Sequence, residues 1–133
     1  MRIVLDTNVL ISGILNPREA PGSVLNAVLD GMVTVLVDDR ILFECRDVLF
    51  RPKFGFPADY VRSVLDFLEH ETDYVTARPA RETIPDPGDL PFYEVAVSGA
   101  ADYLVTGNAR HFPEMKFVVS PGAFLGYLRT YRS

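Results

Sequence analysis

Two rhythms of apolar residues alternate along this chain. Short unbroken apolar runs stand between longer segments whose apolar positions fall three and four residues apart. The first rhythm suits a strand buried on both faces, the second a helix with one packed face. Arg2–Leu5 is therefore predicted as a strand stopping at Asp6. Thr7–Leu15 follows as a helix on Val9, Leu10 and Ile14, halted by Asn16-Pro17. A second helix opens at Pro21-Gly22-Ser23, packs through Val24, Leu25, Val28 and Leu29, and stops at Gly31. Val33–Val37 predicts a strand rich in β-branched residues, after which Asp38-Asp39 caps a helix from about Arg40 to Phe50, ended by Pro52.

Lys53–Pro57 is expected to be a loop and Ala58–Glu71 a helix carrying Val61, Val64, Leu65 and Leu68. Tyr74-Val75 predicts a short strand. The stretch Ala77–Gly88, with Pro79, Pro85 and Pro87, is the longest irregular segment. A helix from about Asp89 to Ala101, a strand Tyr103–Thr106, a loop Gly107–Glu114, a strand Phe117–Val119 and a helix Pro121–Tyr131 complete the chain. Strands alternating with helices specify a parallel sheet covered on both faces. Ligands of such sheets bind beyond the carboxyl ends of the strands, so chemistry is expected in residues just past those ends.

A length of 133 residues fits one domain, residues 1–133, and 48% hydrophobic residues suffice for a core and exclude disorder. The formal charge of -5, with a pI near 4.9, gives no bulk attraction to phosphate. Either the acids gather in a metal site that inverts the local charge, or nucleic acid is not the partner. Cys45 is the sole cysteine, which excludes an intrachain disulfide and a Cys-based zinc site and fits a reducing cytoplasm. The apolar opening meets Asp6 too early for a signal-peptide core, and no apolar run approaches the length of a membrane span. A soluble, cytoplasmic protein is expected, with no membrane partner.

Asp6 ends the first strand and is followed by Thr7 and Asn8; its ordinary role is to cap the next helix, its alternative to carry chemistry. Glu44 lies within or beside the apolar stripe Ile41, Cys45 and Val48, where a carboxylate is costly unless paired or metal-bound. An i,i+4 pair with Arg40 is the competing explanation. Asp89 opens a helix whose face continues through Tyr93, Ala96 and Ala100. Asp86, three residues earlier, is explained well by turn chemistry and is a supporting candidate, as are Asn8 and Thr106. Asn108 follows Thr106-Gly107 just past the fourth strand. Asp102 starts that strand, roughly 13 Å from its other end, and is assigned a structural role.

Asp6, Glu44, Asp89 and Asn108 can thus converge above one edge of the sheet. An all-oxygen, carboxylate-rich set suits Mg²⁺ or Mn²⁺ rather than zinc, and such ions activate water for in-line attack on phosphate.

The opening Ile3-Val-Leu-Asp6-Thr-Asn-Val-Leu resembles the first motif of PIN-domain nucleases. The runs Asp86-Pro-Gly-Asp89 and Ala100-Ala-Asp-Tyr-Leu-Val-Thr-Gly-Asn108 resemble the later ones, and the order and spacing extend over nearly the whole chain. The chain is most similar to single-domain PIN proteins counted among VapC-like toxins. That resemblance implies a three-layer α/β/α sandwich with a central parallel sheet. It also implies a metal-dependent endoribonuclease acting on single-stranded RNA, paired with an antitoxin protein and forming a homodimer. By position Asp6, Glu44 and Asp89 match the family's first three acids. The fourth, often acidic, is Asn108 here, and His111 stands where some relatives carry a further acid.

Two other functions compete. An aspartyl-phosphate phosphatase or receiver would use Asp6 as nucleophile, but the former needs a second acid where Asn8 stands, and Lys116 is poorly placed for the latter. A degenerate PIN scaffold could bind RNA or a protein partner without cutting, and Asn108 is the feature that favours it. Phe54 and Phe56 could stack on bases or anchor their loop.

Overall fold

The computed structural model describes residues 1–132. Its strands are β1 (Arg2–Leu5), β2 (Thr34–Val37), β3 (Asp73–Tyr74), β4 (Tyr103–Val105) and β5 (Val118–Val119). They form one sheet of order β3-β2-β1-β4-β5, with every pairing parallel. The helices are α1 (Thr7–Leu15), α2 (Ala20–Leu29), α3 (Asp39–Leu49), α4 (Ala58–His70), α5 (Leu90–Ser98) and α6 (Pro121–Arg132). Together they make the expected α/β/α sandwich. No helix among the described residues is long and apolar enough to cross a membrane.

The unbroken runs are buried as their composition requires: Ile3, Val4, Leu36, Leu104 and Val105 are all fully buried. α5 lies against β1, β2 and β4, while α2 packs on α1 and α6, and α3 on α4. The α1–α2 approach depends on Gly13, where a Cβ would stand 2.8 Å from the carbonyl oxygen of Pro21. Asp38 caps α3 by accepting the Ile41 N–H at 3.0 Å, a bond worth about 1 kcal/mol.

Boundaries shift where proline and positive φ intervene. Asp89 belongs not to α5 but to a 3₁₀ turn, Pro87–Asp89, and α5 starts at Leu90 because Pro91 suits a first helical turn. Its end comes at Ser98 rather than Ala101, since Gly99 closes it and Ala100 takes a φ of 51°. Further 3₁₀ turns, Pro52–Phe54 and Ala109–His111, occupy stretches expected to be loop. The third strand is Asp73–Tyr74, one residue earlier than expected.

The strand order places the site. β2 and β4 flank β1 on opposite sides, so the connections leave β1 in both directions, and a crevice opens between neighbouring carboxyl ends at such a point. Leu5 pairs with Val105 at the ends of β1 and β4, and the Asp6 N–H donates to the Val105 carbonyl at 3.0 Å. Asp6 and Thr106 therefore emerge side by side.

Candidate active site

Asp6 occupies the N-cap position of α1 with extended backbone, yet its side chain makes no capping hydrogen bond. It is 5% exposed. The Thr106 hydroxyl donates to its Oδ2 at 2.8 Å, and the Asn8 amide donates to the same oxygen at 3.3 Å. Both donors are themselves positioned: the Asn108 N–H donates to Thr106 Oγ1 at 3.0 Å, and the Gly107 N–H to Asn8 Oδ1 at 3.3 Å. Burial pushes the Asp6 carboxyl up to about 6. Thr106 and the Asn8 N–H oppose that rise, while the charges of Asp89 and Glu44 add to it.

Glu44 reaches the same place from α3. Its Oε2 accepts the Thr7 hydroxyl at 2.6 Å, so it faces the residue next to Asp6. Arg40 does not pair with it: that guanidinium binds Asp38 and Glu94, each at 2.7 Å. Cys45, one residue on, lies 3.8 Å from Thr7 Oγ1, and burial drives its thiol to about 12, so it stays protonated and is no nucleophile.

Asp89 caps nothing with its side chain. Its Oδ2 is buried with no hydrogen-bond partner, and His111 Nδ1 stands 3.6 Å away, beyond hydrogen-bond reach. Burial and the neighbouring Asp86 raise its pKa, which His111 partly offsets. Asp86 itself is exposed and accepts the Gly88 N–H at 2.9 Å, the turn role expected of it.

Asp6, Glu44, Asp89, Asn8, Thr106 and His111 thus share one end of the sheet. Asn108 joins them only through its backbone. Its exposed side chain makes no hydrogen bond among the described residues and lines a hollow of about 230 Å³ with Asn8 and Ser12 but no carboxylate. Asp102 sits at the opposite strand end, where it accepts the Arg2 backbone N–H at 2.8 Å. Phe54 and Phe56 stack on each other at 5.3 Å, with the Lys53 ammonium over Phe54, and so anchor their own loop.

Two participants were not singled out from sequence. Thr7 fixes Glu44. Glu94, 6% exposed, binds Arg40 and accepts the Ala80 N–H at 2.7 Å, tying α3, α5 and the irregular segment together. An acid inside the apolar run Pro91-Phe-Tyr-Glu94-Val-Ala-Val was the available signal.

The donor set fits a hard divalent cation: carboxylate oxygens only, one of them buried and orphaned on Asp89. No three His, Cys, Asp or Glu side chains among the described residues already stand in a ligating arrangement. Mutual repulsion among the carboxylates opposes such an arrangement until a cation offsets it.

No curated protein matches the chain significantly. A family model for the PIN domain matches residues 2–110, well over half the sequence and every residue of the site just described except His111. This chain belongs to the PIN-domain family.

Proposed function

We propose that the protein is an endoribonuclease that cuts single-stranded RNA with Mg²⁺ or Mn²⁺ held by Asp6, Glu44 and Asp89. PIN domains are generally nucleases and typically use divalent metals, and the substrate and ligand set are the added steps. The observation that carries them is Asp6: a buried acid at the sheet's crevice, relieved of capping and crowded by two further carboxylates. A carboxylate kept there without a cation destabilises the fold, so its retention points to a cationic partner.

Such an ion supplies Lewis-acid polarisation of a phosphate and neutralises developing charge. The chain's own residues do the positioning. Thr106 and Asn8 orient Asp6, Thr7 orients Glu44, and His111 lies beside Asp89 as a contact for substrate phosphate. Local positive charge at the ion also accounts for how a protein of net charge -5 engages RNA. By the same family resemblance, the biological setting is a cytoplasmic toxin held by an antitoxin protein and acting as a homodimer.

A second reading, a PIN scaffold that binds without cutting, is favoured by Asn108, whose neutral amide stands at the fourth acidic position and makes no hydrogen bond to a carboxylate among the described residues. Cleavage of a labelled single-stranded RNA with Mg²⁺ or Mn²⁺, beside EDTA and Asp6→Asn controls, decides between them. Metal-dependent cutting lost in the variant supports the nuclease. No cutting by the well-folded protein with either metal supports the scaffold.

A further inference from the structure

Six of the 13 lysines and arginines of this acidic chain are held by a carboxylate or a ring. Arg2, Arg40, Arg46, Arg51 and Arg62 each pair with a carboxylate, and Lys53 lies over Phe54. Arg78 and Arg81 are among the cations whose head groups have no hydrogen bond or ion pair among the described residues. Both line the same hollow, about 520 Å³, between residues 76–82 and α5. That volume falls in the range of small-ligand sites, roughly 300–1,000 Å³.

The hollow is held in shape. Ser98 Oγ accepts the Arg78 backbone N–H at 2.8 Å, and buried Glu94 accepts the Ala80 N–H at 2.7 Å. These two bonds fasten the arginine-bearing segment to α5 while leaving both guanidinium groups free. On the α5 wall, Tyr93 is fully buried and its hydroxyl has no hydrogen-bond partner. Glu82 lies on the same lining, and its charge acts on that hydroxyl.

Two guanidinium groups on one lining suit a phosphate, for which their planar fork is matched. The Glu82 carboxylate beside them suits a ribose hydroxyl or a base N–H, which need an acceptor. The combination describes a ribonucleotide. The position relates it to the acidic cluster: Tyr93, on its lining, lies near the start of α5, which directly follows the 3₁₀ turn that carries Asp89.

We propose that this hollow holds a nucleotide of the single-stranded RNA flanking the scissile bond, its phosphate on Arg78 and Arg81 and its sugar or base on Glu82. The inference rests on the ribonuclease reading. Its test uses the full chain with a 5′-labelled single-stranded RNA. Binding is followed by anisotropy in EDTA, where nothing is cut, and cleavage in Mn²⁺. The Arg78→Gln/Arg81→Gln protein should bind roughly ten-fold more weakly. Its log affinity against log salt should be shallower by about 0.7, one phosphate contact. KM should rise in step, with kcat within about two-fold, and Glu82→Gln should raise KM roughly three-fold.

Cleavage by the double variant with KM and salt slope unchanged overturns this inference and leaves the nuclease intact. Wild-type protein that binds AMP through the same arginines but no RNA overturns the strand assignment in favour of a free-nucleotide site. Wild-type protein that engages neither RNA nor AMP overturns this inference together with its RNA premise. RNA bound through these arginines in EDTA but never cut overturns the ribonuclease reading alone.

Discussion

Asp6 and Glu94 are buried to the same degree, 5% and 6% exposed, and their surroundings treat them in opposite ways. Burial raises the pKa of either acid by itself. At Glu94 the Arg40 guanidinium and the Ala80 N–H outweigh burial, and the carboxyl ends below its ordinary range. At Asp6 the two donors are outweighed by burial and by the charges of Asp89 and Glu44, and the carboxyl rises to about 6. A buried acid is thus no sign of function until its partners are counted. Glu94 is a completed structural joint, whereas Asp6 heads a cluster short of positive charge.

The largest expected effect separates the cluster from the joint. Glu44→Gln should lower RNA cleavage by about a thousand-fold, the several kcal/mol that a misheld cation would cost. Its melting temperature should barely move, because Thr7 can still donate to the amide oxygen. Cleavage at the wild-type rate would remove Glu44 from the site. Glu94→Ala should do the reverse, costing about 3 kcal/mol by leaving Arg40 and the Ala80 N–H without their buried partner. Urea titration of both variants measures this, and equal stabilities would erase the distinction drawn between the two acids.

The sign of the next effect is unusual for a buried site. Without added metal, Asp6→Asn should stabilise the protein by about 2 kcal/mol at pH 7, because the wild-type carboxylate is held charged against its environment. With Mn²⁺ present the order should reverse, since only the wild type gains from binding the ion. A variant less stable than wild type in EDTA would show that Asp6 is a structural acid after all.

The pH dependence of metal-free stability carries both signs at once. The folded-state pKa of Asp6, about 6, exceeds its ordinary value of 3.8, so its penalty is full above pH 6 and is relieved as pH falls from 6 toward 3.8. Glu94 is depressed below its ordinary value of 4.5, so its contribution is present above 4.5 and is lost as pH falls through the folded pKa. Stability should therefore climb modestly between pH 7 and 5 and then fall. Asp6→Asn should lose the climb, and Glu94→Gln should flatten the fall.

The same pair shows what was legible in the sequence. The central strands followed from apolar runs, because a sheet covered on both faces buries β1, β2 and β4, whereas the edge strand β3, Asp73–Tyr74, is exposed and carries no such run. Asp6 was visible by position, at the end of the first run. What sequence could not show was that Asp6 makes no cap bond, since an acid before a helix looks the same either way. Glu94 stood in plain view inside an apolar run, but its partner Arg40 lies 54 residues away and only packing joins them. Asn108 was grouped with the acids from its place after β4. The chain turns there into the Ala109–His111 3₁₀ turn, and the amide lines a hollow with Asn8 and Ser12 that no carboxylate lines.

The smallest effect is expected at the far end of the sheet, and it tests the geometry on which the comparison depends. Asp102 is exposed and accepts the Arg2 backbone N–H at the start of β1, three or more strand residues from Asp6. Strand rise puts those ends on the order of 10 Å apart, too far for Asp102 to reach the cation or the phosphate. Asparagine keeps the accepting oxygen, so Asp102→Asn should change stability by less than about 1 kcal/mol. Cleavage should stay within about two-fold of wild type, measured side by side with Glu44→Gln. A folded Asp102→Asn protein without activity would mean that function is not confined to the carboxyl ends of β1 and β4, and the contrast between a poised acid and a satisfied one would lose its location.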